Sequence, residues 1–245
     1  MRQATQAITI MITNTETNLL RLMQLSSASL PVGGYSFSQG LEFAVDAGWI
    51  CNAEQTFDWC ELLFEDSVAV VDLPLLIRLA DAIKNKDRQK FIYWNATVLA
   101  CRETSELSLT ETAMGAALIR LLRQLEIDLS VWETILDEEQ ISFIAAFALA
   151  ANYWKINDDS ILVGYCWSWL EYQIAAATKL VPLGQTAAQK LLISLGDNTH
   201  EVIAQAKMID DGAIGASLLG LAMASACHET QHSRLFRSYV IFNFI

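Results

Sequence analysis

Proline is scarce in this 245-residue chain, occurring only as Pro31, Pro74 and Pro182. Long stretches therefore contain nothing that would interrupt a helix. Cysteine is sparse and odd in number. Residues 51, 60, 101, 166 and 227 never form C-x-x-C, which argues against a disulfide framework and against a Cys-rich zinc site. Charged residues make up 18% of the chain, and 16 Lys and Arg face 28 Asp and Glu. A net charge of −12 disfavours nucleic acid and anionic membranes, since both demand clustered cations to neutralise phosphate. No run of about 20 apolar residues suits a membrane span. Residues 8–12 form an apolar stretch too short for a signal sequence, without a convincing cleavage site. Together these absences point to a cytoplasmic protein.

What is abundant is apolar. Hydrophobic residues make up 53% of the chain and the mean hydropathy is +0.30. That is ample for a core, and the excess suggests apolar surface covered by a partner, in an oligomer or a complex. Apolar residues recur at helical spacing without sustained alternation of period two. The pattern predicts an all-α, single-domain bundle of about ten helices, undivided by any linker, repeat or low-complexity tract. One helix opens at Leu19, a second spans 36–47 and stops at Gly48, and a third starts at Asn52 with Gln55 three residues on. Pro74 should break or kink the stretch that follows. Further helices are expected over 87–103, 108–126, 138–155, 159–180, 185–194, 198–210 and 213–229. Ser108 with Glu111, Asp137 with Gln140, and Asn198 with Glu201 have the spacing of helix caps. The apolar run 141–153 reads as a buried helix. So does 212–227, whose Gly212, Gly215 and Gly220 would permit close approach in the middle of the bundle.

Several motifs bear on chemistry. His228-Glu229-Thr230-Gln231-His232 matches H-E-x-x-H, in which two imidazoles one helical turn apart hold zinc and the Glu acts as base. The downstream third ligand is missing, and Leu235 and Ser238 stand where the extended pattern needs Gly and His. A zinc hydrolase using His228, Glu229 and His232 is therefore the enzyme alternative, and a loose metal site at His228 and His232 is a further one. No phosphate-binding G-x-x-x-x-G-K-[ST] loop occurs, and no G-x-S-x-G elbow follows a strand. Asp158-Asp159 and Asp210-Asp211 sit at helix ends, as solvated caps do. In Leu30-Pro31-Val32-Gly33-Gly34-Tyr35-Ser36, Pro and two glycines set a tight loop that presents an aromatic at the mouth of a helix. An exposed Tyr there would suit a protein contact.

Three blocks carry a resemblance: LLRLMQLSSASLPVGGYSFSQGLE (19–42), ATKLVPLGQTAAQKLL (177–192) and HETQHSRLFRS (228–238). In order and spacing they resemble the UreF family of urease accessory proteins, across roughly 19–238. The resemblance implies an all-α homodimer without a cofactor or catalytic residues. Its implied partners are the UreD/UreH scaffold, the GTPase UreG and, through that complex, apo-urease. The family's role is to bridge scaffold and GTPase and to couple GTP hydrolysis to nickel insertion. Tyr35 and Arg234 fall on family positions associated with recruiting the GTPase. Glu42, Lys179, Gln185 and Glu229 fall on other motif positions and are candidates for interface or structural roles. Two features depart from the family. His232 stands where Tyr is usual, and the chain continues past the last block as an apolar extension, 239–245. Residues 1–18 are expected to form a poorly ordered leader, and a generic helical scaffold is the reading without a urease connection.

Overall fold

The computed structural model describes residues 16–237, so residues 1–15 of the leader and the 239–245 extension lie outside it. All regular structure among the described residues is helical. Helix α1 is seen over 16–25, and a 3-10 turn, Gly34–Ser36, leads to the short α2, Leu41–Asp46. Helix α3, Ala53–Leu63, runs into a π-helical stretch, Phe64–Asp72, and on into α4, Leu73–Lys84. Then come α5 (Arg88–Ala100), α6 (Ser105–Gln124), α7 (Glu133–Glu138), α8 (Phe143–Tyr153) and α9 (Asp158–Leu180). Helices α10 (Gln185–Asp197), α11 (Thr199–Met208) and α12 (Leu219–Thr230) complete the order. None of these helices is long and apolar enough to cross a membrane.

Helix α8 is the axis of the bundle. Every residue from Phe143 to Ala151 is buried, as befits a helix apolar on all sides. It packs against α6, α4 and α5, and Phe143 and Phe147 meet Tyr165 of α9. Beside it lies a buried ionic network. Arg102 contacts Asp72 and Glu111 at 2.9 Å each, and the Tyr165 hydroxyl donates to Asp72 at 2.9 Å. Glu111 also accepts from the Ile144 amide at 3.0 Å, placing a carboxylate at the N-terminus of α8. Burial opposes a charged Arg102, but its two carboxylate partners outweigh it and hold the guanidinium pKa above its ordinary value.

Four sequence expectations are corrected. The 36–47 helix is shorter, because the backbone of Gly40 turns left-handed (φ 82°) before α2 begins. Only one of the four expected caps forms. Asn52 accepts from the Gln55 amide and caps α3, while Gln55 reaches back to the Cys51 amide. Elsewhere Thr104 caps α6 in place of Ser108, and Ser142 caps α8 in place of Asp137. Asn198 is itself helical between two nearly continuous helices, so its side chain cannot turn back to cap. Glycine-rich 212–218 contains a 3-10 turn and extended backbone, with helix only from Leu219, and Gly212, Gly215 and Gly220 have open space around them. Helix α12 therefore lies at the surface and buries only Ala224, Ser225 and His228. At Pro74 the helical path is unbroken, and the hydrogen bonding changes from π to α beside the residue that lacks an amide donor.

Candidate partner-binding site

The Pro-Gly-Gly loop is built by its glycines. Gly33 adopts a φ of 77°, and a Cβ on Gly34 would come within 2.6 Å of the Tyr172 ring. The turn that results leaves Tyr35 56% exposed. Chain distant in sequence then joins it. After α12 ends at Thr230, residues 231–237 run back over α2, and the Arg237 amide donates to the Ser36 carbonyl at 2.9 Å. We call this segment the C-terminal arm.

An apolar and an ionic anchor hold the arm. Phe236 is buried among Leu41, Ala44, Ala176, Ala177, Val181 and Ala224, so α2, α9 and α12 all contribute to its pocket. Lys179, at the end of α9, places its ammonium 5.1 Å from the Phe236 ring centre and 5.8 Å from that of Tyr35. A cation over two aromatic faces ties the loop to the arm. The ionic anchor is Glu42, whose carboxylate accepts from the Leu235 amide at 2.5 Å and the Phe236 amide at 2.8 Å.

Behind Glu42 lies His228, fully buried. Its Nε2 is 2.9 Å from Glu42 and its Nδ1 is 3.0 Å from Glu106 of α6. Burial pulls the imidazole pKa down, but the hydrogen bonds and charges of Glu106 and Glu42 outweigh it, so the pKa is raised above the ordinary histidine value. Ser225 and Thr104 complete the buried polar cluster, their hydroxyls 2.7 Å apart. Glu229 accepts from the Glu106 amide at 2.9 Å, a capping bond to the start of α6 supplied by another helix. Arg234 is exposed and donates to the Glu229 carbonyl at 3.1 Å.

Of the residues singled out from sequence, Tyr35, Glu42, Lys179, Glu229 and Arg234 therefore fall in one neighbourhood. Gln185 does not join them. It is exposed at the first turn of α10. The zincin arrangement is not formed: the backbone leaves the helix at Gln231, so exposed His232 does not share a helical face with His228. Both nitrogens of His228 are engaged by carboxylates, and the Glu229 carboxylate faces a backbone amide. Among the described residues, no group of three or more His, Cys, Asp or Glu is arranged to hold a metal ion. Sequence reading missed Glu106 and Phe236. Glu106 gave no signal because its partners in the cluster are distant in sequence, whereas Phe236 sat within a recognised block without any pattern marking it as buried.

Alongside Tyr35 and Arg237 runs a groove of about 1050 Å³, lined by Val32, Phe37, Ala113, Ala117 and Ile141 among others. An exposed Tyr, an exposed Arg and an aromatic-bound Lys beside an apolar groove can supply binding energy to a protein partner.

Comparison with known proteins places the chain among relatives of one family. The UreF family model matches residues 50–196, more than half of the chain and including all of the second sequence block. A urease accessory protein UreF from Marinomonas sp. (strain MWYL1) is 51% identical over 231 residues, covering 94% of this chain and 99% of the relative. Proteins of the same name from Alkalilimnicola ehrlichii and Hahella chejuensis are 43% and 44% identical, covering 92% and 90% of this chain and 100% and 98% of their own lengths. These alignments reach beyond the family-model match to most of the described chain, and the chain belongs to the UreF family of urease accessory proteins.

Proposed function

We propose that this chain is a binding adaptor in urease maturation, which bridges the UreD/UreH scaffold and the UreG GTPase and regulates GTP-dependent insertion of nickel into apo-urease. Nickel is the cargo of that process. The observation that carries the reading is the assembly of exposed Tyr35, Lys179 and arm-borne Arg234 on one surface, built from three sequence blocks by tertiary contacts. Tyr and Arg are the residue types that most often dominate interface energy. On this reading the protein acts in the cytoplasm and has no catalytic residue of its own.

The test is co-purification of wild type and Arg234→Ala with the scaffold and the GTPase, by size-exclusion chromatography with light scattering. Wild type is expected to form the larger complex, and the variant to lose the GTPase while keeping the scaffold. A wild-type chain that bound neither folded partner would favour a helical scaffold unconnected with urease.

The same reading includes a homodimer, and a second exposed face supports it. Val163 and Trp167 lie one turn apart on α9, 46% and 44% exposed. Leu19, Leu20 and Met23 are exposed on α1. The two helices are in contact, since a Cβ on Gly164 would come within 2.4 Å of Leu22. Large apolar side chains grouped in this way on adjoining helices mark a protein contact surface.

A further inference from the structure

Among the described residues, Glu42 is the side chain that accepts hydrogen bonds from the Leu235 and Phe236 amides, and its carboxylate is held in turn by a buried imidazole. We propose that His228 is the positioning residue of the partner-binding surface: by bridging Glu42 and Glu106 it sets the Glu42 carboxylate against the backbone of the C-terminal arm, and removing the bridging proton releases the arm. The inference rests on the adaptor reading for its biological meaning, but its geometry belongs to the isolated chain.

Glu42 accepts from two backbone amides as well as facing Nε2, so it acts as an acceptor throughout. With Glu106 on Nδ1, bonding at both ring nitrogens needs one more proton than a neutral imidazole between two carboxylates can offer. Without that proton, a ring lone pair faces a carboxylate oxygen at 2.9 or 3.0 Å, in a site closed to water. The repulsion is relieved if Glu42 moves, and Glu42 cannot move without giving up the two arm amides.

Helix α12 packs against α2 and α6, and the titratable groups those elements turn towards His228 are Glu42 and Glu106. The other charged groups nearby are engaged elsewhere. Lys179 of α9 reaches the Phe236 ring, Glu229 bonds the Glu106 amide, and Arg234 bonds the Glu229 carbonyl. The contacts of the arm also link three motif residues. Glu42 positions the backbone of 235 and 236, Phe236 meets Lys179, and Lys179 meets Tyr35. The loop and the arm thus share one support.

Amide hydrogen exchange of the full-length, partner-free protein tests this, read as protection factors for Leu235 and Phe236 between about pH 5.5 and 9, with His228 titrated in parallel by imidazole nitrogen NMR. Protection is expected to be flat at low pH, to fall by up to about tenfold for each step of one in pH on the approach to the His228 midpoint, and to level off above it, once the closed-arm imidazole has lost its proton. Glu106→Gln should move that midpoint down, towards the ordinary histidine value. His228→Gln should lower protection at about pH 6 and abolish the step. A wild-type profile that stays flat while His228 titrates would overturn the proposal, as would a step that survives in His228→Gln. If His228→Gln does not fold, the wild-type and Glu106→Gln profiles still decide. Because no partner is present, failure here leaves the adaptor reading standing, and failure of co-purification leaves this result intact.

Discussion

At His228 and at Arg102 a basic side chain is held between two carboxylates, and at each the energetics are those of charge removed from water. For His228 the folded-state pKa is raised above its unfolded value. Its contribution to stability is therefore complete below about pH 6.5 and is lost as pH rises through the folded pKa. Urea unfolding of wild type between about pH 6 and 9 is expected to show a falling midpoint, and His228→Gln to have a lower midpoint at about pH 6 and a flatter profile. Arg102→Met leaves Asp72 and Glu111 buried without their counter-ion and is expected to cost about 3–5 kcal/mol by urea titration at about pH 7. Little of this was legible from sequence. H-E-x-x-H drew attention to His228, but as a zinc ligand, because the motif is silent about Glu42 and Glu106, 186 and 122 residues away.

At the scale of elements, helix existence was legible and helix starts were not. Apolar periodicity reports which face is buried over many turns, so most of the expected helices are present. A start depends on where one backbone residue leaves the helical region, and several nearby side chains can satisfy the capping pattern. Ser108 and Glu111 have the right spacing, but Glu111 is drawn into the core by Arg102, and Thr104 takes the cap four residues earlier. Thr104→Ala is expected to lower stability by about 1 kcal/mol, and Ser108→Ala by less than about 0.5 kcal/mol, in matched urea titrations. Equal losses at the two positions would contradict the observed boundary. Glycine-rich 212–218 shows the opposite error. Glycines read as a device for close helix packing, yet here they face open space and the chain is not helical.

At the scale of the molecule, two surfaces separate. One combines the 31–37 loop, the end of α9 and the C-terminal arm, and the other is the apolar face of α1 and α9. If they serve different partners, their variants should be independent. Leu20→Asp with Trp167→Asp is expected to halve the mass seen by light scattering while leaving the helical circular dichroism spectrum unchanged. Both side chains are exposed, so neither change opens a cavity in the core. Tyr35→Ala should leave mass and spectrum as they are and weaken binding of the GTPase at least tenfold, roughly 1.4 kcal/mol or more, in a titration against the isolated GTPase.

Composition and periodicity, by themselves, determined that this chain is helical, that the apolar run 141–153 is a buried helix, and that it has no membrane-spanning helix among the described residues. Three ordered blocks carried the family resemblance. Those properties are written in local spacing and in short runs of residues, which a single sequence displays directly. Only the tertiary structure decided that Glu42, Glu106 and His228 form one buried cluster, that Lys179 lies between Tyr35 and Phe236, and that α12 is a surface helix. Each of these depends on which helices pack together, and that follows from the burial of many side chains at once across the whole chain, which no local pattern encodes.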